Sequence, residues 1–172
     1  MRKIGAFAGK FLPPHIGHIR QIGLSADYCD ELRVVVAEDP SSTQAICNRN
    51  NLPNMDASLR LNWLAEHFKH NRKIKIVYMN ESNLPKFPDG LKEWSERFKD
   101  VVGRDVNVKF ADETYRQLNE TYFPECEFVA FDRTIIPISA SLIRSDPKKY
   151  FNYLIDEAKP YFKKIIKEQN KW

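Results

Sequence analysis

Residues 4–18 read Ile-Gly-Ala-Phe-Ala-Gly-Lys-Phe-Leu-Pro-Pro-His-Ile-Gly-His. A short apolar strand, Ile4–Ala8, runs into a turn shaped by Gly9, Pro13 and Gly17. An amphipathic helix leaves the turn, with Ile19, Ile22, Ala26 and Cys29 on one stripe. His15 and His18 fall on the same side of its first turn. A helix start also offers unpaired backbone N–H groups and a positive dipole end, so imidazoles at a strand-to-helix turn suit a polyphosphate. Gly9 would let a phosphate approach the backbone, Gly17 would let one lie against the helix, and Lys10 would neutralise its charge. An arbitrary pair of histidines is as readily structural; the position after a strand favours the phosphate.

The same alternation continues along the chain. Further strands are expected at Leu32–Ala37, Ile74–Tyr78, Val106–Phe110 and Phe128–Phe131, each short and apolar, as parallel strands buried on both faces should be. Helical stripes lie between them: Leu61, Leu64, Ala65 and Phe68 after a cap at Asp56, then Leu91, Trp94, Phe98, Val101 and Val102. Pro147 should end a short helix begun near Ser139, Tyr150 to Ile155 should begin another, and Pro160 should start or kink the last. The order predicts an α/β fold with a five-stranded parallel sheet, helices on both faces, and ligands at the strands' carboxyl ends. Asp39–Asn54 and Asn80–Asp89 read as irregular loops over that end, candidate lids or substrate-binding segments.

Composition sets bounds. The 172 residues suit one domain, with 42% hydrophobic and 29% charged residues. No apolar run is long enough for a membrane span, and the N-terminus has no signal-peptide pattern. Cys29, Cys47 and Cys126 are odd in number and lack metal-ligand spacing, which points to free thiols and a cytoplasmic setting. A net charge of +4 does not demand nucleic acid and suits an anionic small substrate. No nucleic-acid or membrane partner is expected, and a homo-oligomer is left open.

The second informative stretch is Ile138-Ser139-Ala140-Ser141-Leu142-Ile143-Arg144. It reads either as a capped surface helix or as a second anion site, with two hydroxyls and a guanidinium at a helix start. It follows the last strand, so it should face the same cleft as His15 and His18, and two anion sites across one cleft suit a triphosphate.

Together, the Gly-x-Phe-x-Pro-x-His-x-Gly-His and Ile-Ser-x-Ser-x-Ile-Arg patterns resemble the two signatures of the nucleotidyltransferase α/β superfamily. Residues 59–64, 78–81, 88–90 with Trp94-Ser95, and 146–150 resemble the nicotinamide-mononucleotide (NMN) adenylyltransferase domain of NadR-type proteins. The resemblance implies a Rossmann-like fold and transfer of AMP from ATP to NMN, giving NAD and pyrophosphate. It implies catalytic roles at the ATP phosphates for His15, His18, Lys10 and Arg144, with Gly9, Phe11, Gly17, Ser139 and Ser141 binding ATP. A magnesium ion is expected to bridge phosphate oxygens, held mainly by substrate and water, so no protein residue is assigned as a metal ligand. On the nicotinamide side, the resemblance points to Trp94 for stacking on the pyridinium, Asn80 for the carboxamide, and Asp112, Glu113, Asp132 and Arg133 lining the dinucleotide site. Trp94 reads equally well as core, the four charged residues as caps and turns, and Arg60 as facing either phosphate or solvent.

NadR-type proteins often carry an N-terminal helix-turn-helix and a C-terminal kinase domain; this chain begins at the first strand and lacks the Gly-x-x-x-x-Gly-Lys-Ser/Thr loop, so neither operator binding nor ribosylnicotinamide kinase activity is expected. Rival readings are another adenylyl- or cytidylyltransferase, such as one for phosphopantetheine, and a nucleotide-sensing module without turnover.

Overall fold

The computed structural model describes residues 1–171. Five strands, β1 (Ile4–Gly9), β2 (Glu31–Glu38), β3 (Ile74–Asn80), β4 (Val108–Asp112) and β5 (Glu127–Phe131), form one sheet in the order β3-β2-β1-β4-β5. Every pairing is parallel. The expected fold class and strands are therefore observed, with shifts of a few residues at the ends.

Among the described residues, seven α-helices connect or follow the strands: α1 (Ile16–Tyr28), α2 (Pro40–Arg49), α3 (Ala57–His67), α4 (Leu91–Val102), α5 (Arg116–Tyr122), α6 (Ala140–Ser145) and α7 (Lys159–Gln169). The sheet is covered on both faces. Phe7, Val34, Val36, Val108 and Phe110 pack with Ile22, Ala26 and Leu64 of α1 and α3. Ala6, Val35, Ala37 and Met79 pack with Phe98 and Val102 of α4 and with Phe123 after α5. A third cluster joins Leu12 and Cys47 to Ile143, Leu154 and Phe162, so the C-terminal helices are built onto the strand-to-helix loop that carries the histidines.

Chain order reverses beside β1: β1 leads outward to β2 and β3, and the chain then returns to β4 on the other side. The carboxyl ends of β1 and β4, at Gly9 and Asp112, flank this switch point, where an open α/β sheet leaves a crevice.

Two expectations are corrected. Asp39–Asn54 is not an irregular loop, because residues 40–49 form α2, with Asp39 accepting from the Ser41 N–H at 3.0 Å and Pro40 at the first helical position. Only Thr43 and Cys47 of α2 are buried, so its apolar stripe is too sparse to stand out in sequence. Tyr150 to Ile155 form no α-helix: residues 151–153 make a single 3-10 turn, and the following residue, Leu154, bridges to His15. No helix among the described residues is long and apolar enough to cross a membrane.

Candidate active site

Two clefts meet at the switch point. The first, about 530 Å³, is lined by Gly9, Lys10, His15, Gly17, His18, Asp132, Arg133, Ser139, Ser141 and Arg144, among others. The second, about 610 Å³, is lined by Lys10, Asp39, Glu81, Phe87, Trp94, Lys109, Asp112, Tyr115 and Arg133, among others. They share Phe7, Ala8, Gly9, Lys10, Gln21 and Arg133, so one ligand can run from one into the other across the end of β1.

His15 is the N-cap of α1. Its Nδ1 accepts from the Gly17 N–H at 3.1 Å and the His18 N–H at 3.4 Å, and the His18 Nδ1 accepts from the His15 N–H at 3.2 Å. This is a capping box built from two imidazoles, which stack with centroids 3.7 Å apart. Two readings change as a result. The helix-start N–H groups expected to bind phosphate are partly taken by His15. Gly17 is needed because a Cβ there would lie 2.9 Å from the His15 Cε1, so the space it leaves holds the imidazole itself.

The capping box also fixes tautomers. A nitrogen that accepts from a backbone N–H carries no proton, so each neutral ring bears its hydrogen on Nε2. Burial, reinforced by Arg133, lowers the His15 pKa to about 4. Burial, then His15 and Arg133, holds His18 well below the ordinary value. The pair is neutral near pH 7 and presents two Nε2–H donors.

Arg144 donates from Nη1 to the Leu12 carbonyl at 2.6 Å, and its buried Nε has no partner among the described residues. Burial disfavours its charge, so an anion beside it would be stabilised. Ser139 caps α6 by accepting from the Leu142 N–H at 3.2 Å, and its Oγ lies 3.3 Å from that of Ser141. Because α6 has only six residues and its start is capped by its own serine, the hydroxyls and guanidinium are the groups left for a phosphate. Lys10, Arg20 and Arg144 line this cleft and none of them pairs with a carboxylate among the described residues, which leaves three unneutralised cations there.

Phe11 supports the site from below. It is 1% exposed, packs its ring against Gly9 and edge-on to His18 at 4.8 Å, and has φ of +50°, which is rare for an aromatic residue. The carbonyls on either side hold it there: Arg144 binds that of Leu12, and Arg60 binds that of Lys10.

Arg60 faces neither phosphate nor solvent. It is fully buried, pairs with Glu38, and donates from Nε to the Met55 carbonyl at 2.9 Å. Glu38 also accepts from the Thr43 hydroxyl at 2.6 Å. This network ties β2, α2 and α3 to the loop between β1 and α1 and was missed from sequence. Its only signal was an arginine in line with Ala57 and Leu64 on the buried side of α3.

In the second cleft, Trp94 stacks on Phe98 at 5.1 Å and donates from Nε1 to Glu81 at 2.8 Å, so it is at once core and cleft wall. Asn80 is not in the cleft. Its Oδ1 closes a turn by accepting from the Ser82 N–H at 2.7 Å, and the next residue, Glu81, faces the space instead. Side chains alternate along a strand, which explains the one-residue slip. Asp112 lines the cleft while accepting from Thr114, and Arg133 lies 3.6 Å from it. Glu113 pairs with Arg116 and is absent from both walls. Asp132 reaches the first cleft, with one oxygen bound to Thr134. Lys109, also missed, is 5% exposed, and its Nζ lies 3.7 Å from the Phe98 ring centre and 4.2 Å from that of Phe123. Burial pulls its pKa down to about 7.

The sequence is 29% identical over 171 residues to the trifunctional NAD biosynthesis/regulator protein NadR of Escherichia coli, an alignment covering 96% of this chain and 42% of that protein. The chain is similar in sequence to NadR over nearly its whole length. No family model matches it. A crystal structure of NadR in complex with NR superposes on this chain with a TM-score of 0.74 at 27% identity, covering 92% of this chain and 45% of the other. A bifunctional NMN adenylyltransferase/ADP ribose pyrophosphatase from Francisella tularensis has the same fold, with a TM-score of 0.70 at 14% identity over 97% of this chain and 50% of its own. The fold is thus the Rossmann-like fold of nucleotidyltransferases, and the chain spans less than half the length of the E. coli relative.

Proposed function

We propose that this chain transfers AMP from ATP to nicotinamide mononucleotide, forming NAD and releasing pyrophosphate. The observation that carries the reading is the junction of the two clefts at Gly9–Lys10: a cationic one sized for a triphosphate, and an aromatic one with acidic groups for a cationic base. The E. coli relative, whose name places it in NAD biosynthesis, and the NadR complex with NR support this choice of substrate.

In this scheme the triphosphate lies along the first cleft. Arg144, Ser139 and Ser141 hold the β- and γ-phosphates, and the Nε2–H groups of His15 and His18 donate to oxygens around the α-phosphorus. An oxygen of the NMN phosphate forms the new bond to that phosphorus. The bond to the bridging oxygen breaks, and pyrophosphate leaves with the electron pair. A phosphate monoester near pH 7 is largely dianionic, so no general base is needed. The protein contributes alignment and charge stabilisation. Neutral imidazoles suit this task, because they donate without titrating across the range in which the nucleophile ionises.

Magnesium enters as part of the ATP substrate and neutralises phosphate charge. Asp132, a carboxylate on the first cleft, is placed to meet that ion beside the phosphates. A substrate panel with ATP tests the proposal. NMN should give NAD and pyrophosphate in equal amounts; turnover of phosphopantetheine in its place would overturn it.

A further inference from the structure

We infer that Glu81 makes the site select the carboxamide form of the mononucleotide over its deamidated, carboxylate form. The inference rests on the adenylyl-transfer reading, with the pyridine ring seated against Trp94.

Glu81 is rigidly placed. It follows β3, and its N–H donates to the Glu38 carbonyl at 2.7 Å, continuing the β2–β3 ladder one residue past the strand end. Its side chain turns into the cleft, where Oε1 accepts from the Trp94 Nε1 at 2.8 Å. A carboxylate offers about four acceptor positions, and this contact uses one. Oε2 has no protein hydrogen bond among the described residues. A ring against the Trp94 wall therefore meets a fixed negative acceptor at the indole's polar edge.

The two candidate substrates differ by one group. The carboxamide presents an NH2 donor, which Oε2 can accept. The deamidated form presents a carboxylate, which has no hydrogen to give and carries the same charge as Glu81. Both rings are pyridinium cations, so attraction to Glu81 and to the indole face is common to both and discriminates neither. The difference lies in the exocyclic group alone, and the repulsive arm supplies most of the selectivity.

Glu81 forms no ion pair among the described residues, although Lys10, Lys109 and Arg133 line the same cleft. Arg97 donates to the carbonyls of Asn80 and Ser82 and to Glu93, which occupies its guanidinium. Lys109 Nζ lies against Phe98 and Phe123 and is 5.7 Å from the Trp94 ring centre.

Glu81→Gln is the informative change. Glutamine keeps an oxygen for the Trp94 Nε1 and turns an NH2 donor toward the exocyclic group. The experiment measures kcat/KM of the full chain with ATP and each mononucleotide. The unaltered protein should favour the amide at least about tenfold, and Glu81→Gln should narrow that ratio about tenfold or more, chiefly by lowering KM for the acid. Equal use of both forms by the unaltered protein, or a preference for the acid, overturns the inference while leaving adenylyl transfer intact. So does a Glu81→Gln variant that slows both substrates equally, as a purely structural role would. Turnover of neither mononucleotide overturns the adenylyl-transfer reading and this inference with it.

Discussion

His15 performs two tasks with two nitrogens, and His15→Asn separates them. Nδ1 caps α1 through Gly17 and His18, and Nε2–H faces the phosphate cleft. Asparagine is among the best N-caps, and its Oδ1 can replace Nδ1, so the fold should persist with a loss of less than about 1 kcal/mol near pH 7. The cleft then loses one donor aimed at the transferred phosphoryl group, and removal of such a donor lowers kcat roughly 100-fold. Stability against pH gives a second readout. The folded pKa of His15, about 4, lies below the ordinary value of 6.5, so between them the unfolded chain binds more protons. Stability that is fully present above the unfolded pKa is therefore lost as the pH falls toward the folded one, by about 2 kcal/mol near pH 5. His15→Asn removes that dependence. Urea unfolding followed by circular dichroism near pH 7 and near pH 5 should show the unaltered protein losing about 2 kcal/mol more than the variant. Equal losses, or undiminished turnover in the variant, would refute the assignment of a neutral, donating imidazole.

Other consequences follow from the buried charges. Lys109 sits among Phe98, Phe123 and Trp94 with its pKa lowered to about 7 from 10.5, so stability should rise with pH between those values as the folded amine escapes its penalty. Lys109→Met should abolish that slope and stabilise the protein below pH 7 by about 2–3 kcal/mol, after allowance for the lost cation–π contacts, as read by urea unfolding. Arg60→Met should cost about 3–5 kcal/mol by leaving Glu38 buried and unpaired. Adding Glu38→Gln should recover much of that stability but not turnover, because the Lys10 carbonyl stays unheld; a double variant with full activity would show that Arg60 does not position the loop.

The contrast between what was legible in sequence and what was not has physical causes. The strands were legible because parallel strands at the centre of a sheet are apolar on both faces, and Val34–Val36 shows this directly. That these residues share one cleft was legible because they come from two contiguous stretches, around His15 and around Ser139, at the carboxyl end of the sheet. Helix α2 was hidden because it buries only Thr43 and Cys47, although its Asp-Pro start was present. Helix α5 was missed outright; it spans seven residues and buries Asn119 rather than an apolar stripe. The Arg60–Glu38–Thr43 network joins residues far apart in the chain, and no local spacing announces it. The Asn80-to-Glu81 slip shows how a single residue decides which side chain enters a cleft at a strand end.

The central claim is that the two clefts align an ATP α-phosphorus with the phosphate of a nicotinamide mononucleotide. ATP labelled at the α-phosphorus, incubated with the protein, magnesium and NMN, tests it most directly. The label should appear in NAD, one equivalent per pyrophosphate released, and His18→Ala should suppress both together. Label left in ATP, or released as free AMP or ADP with no dinucleotide formed, would contradict the claim.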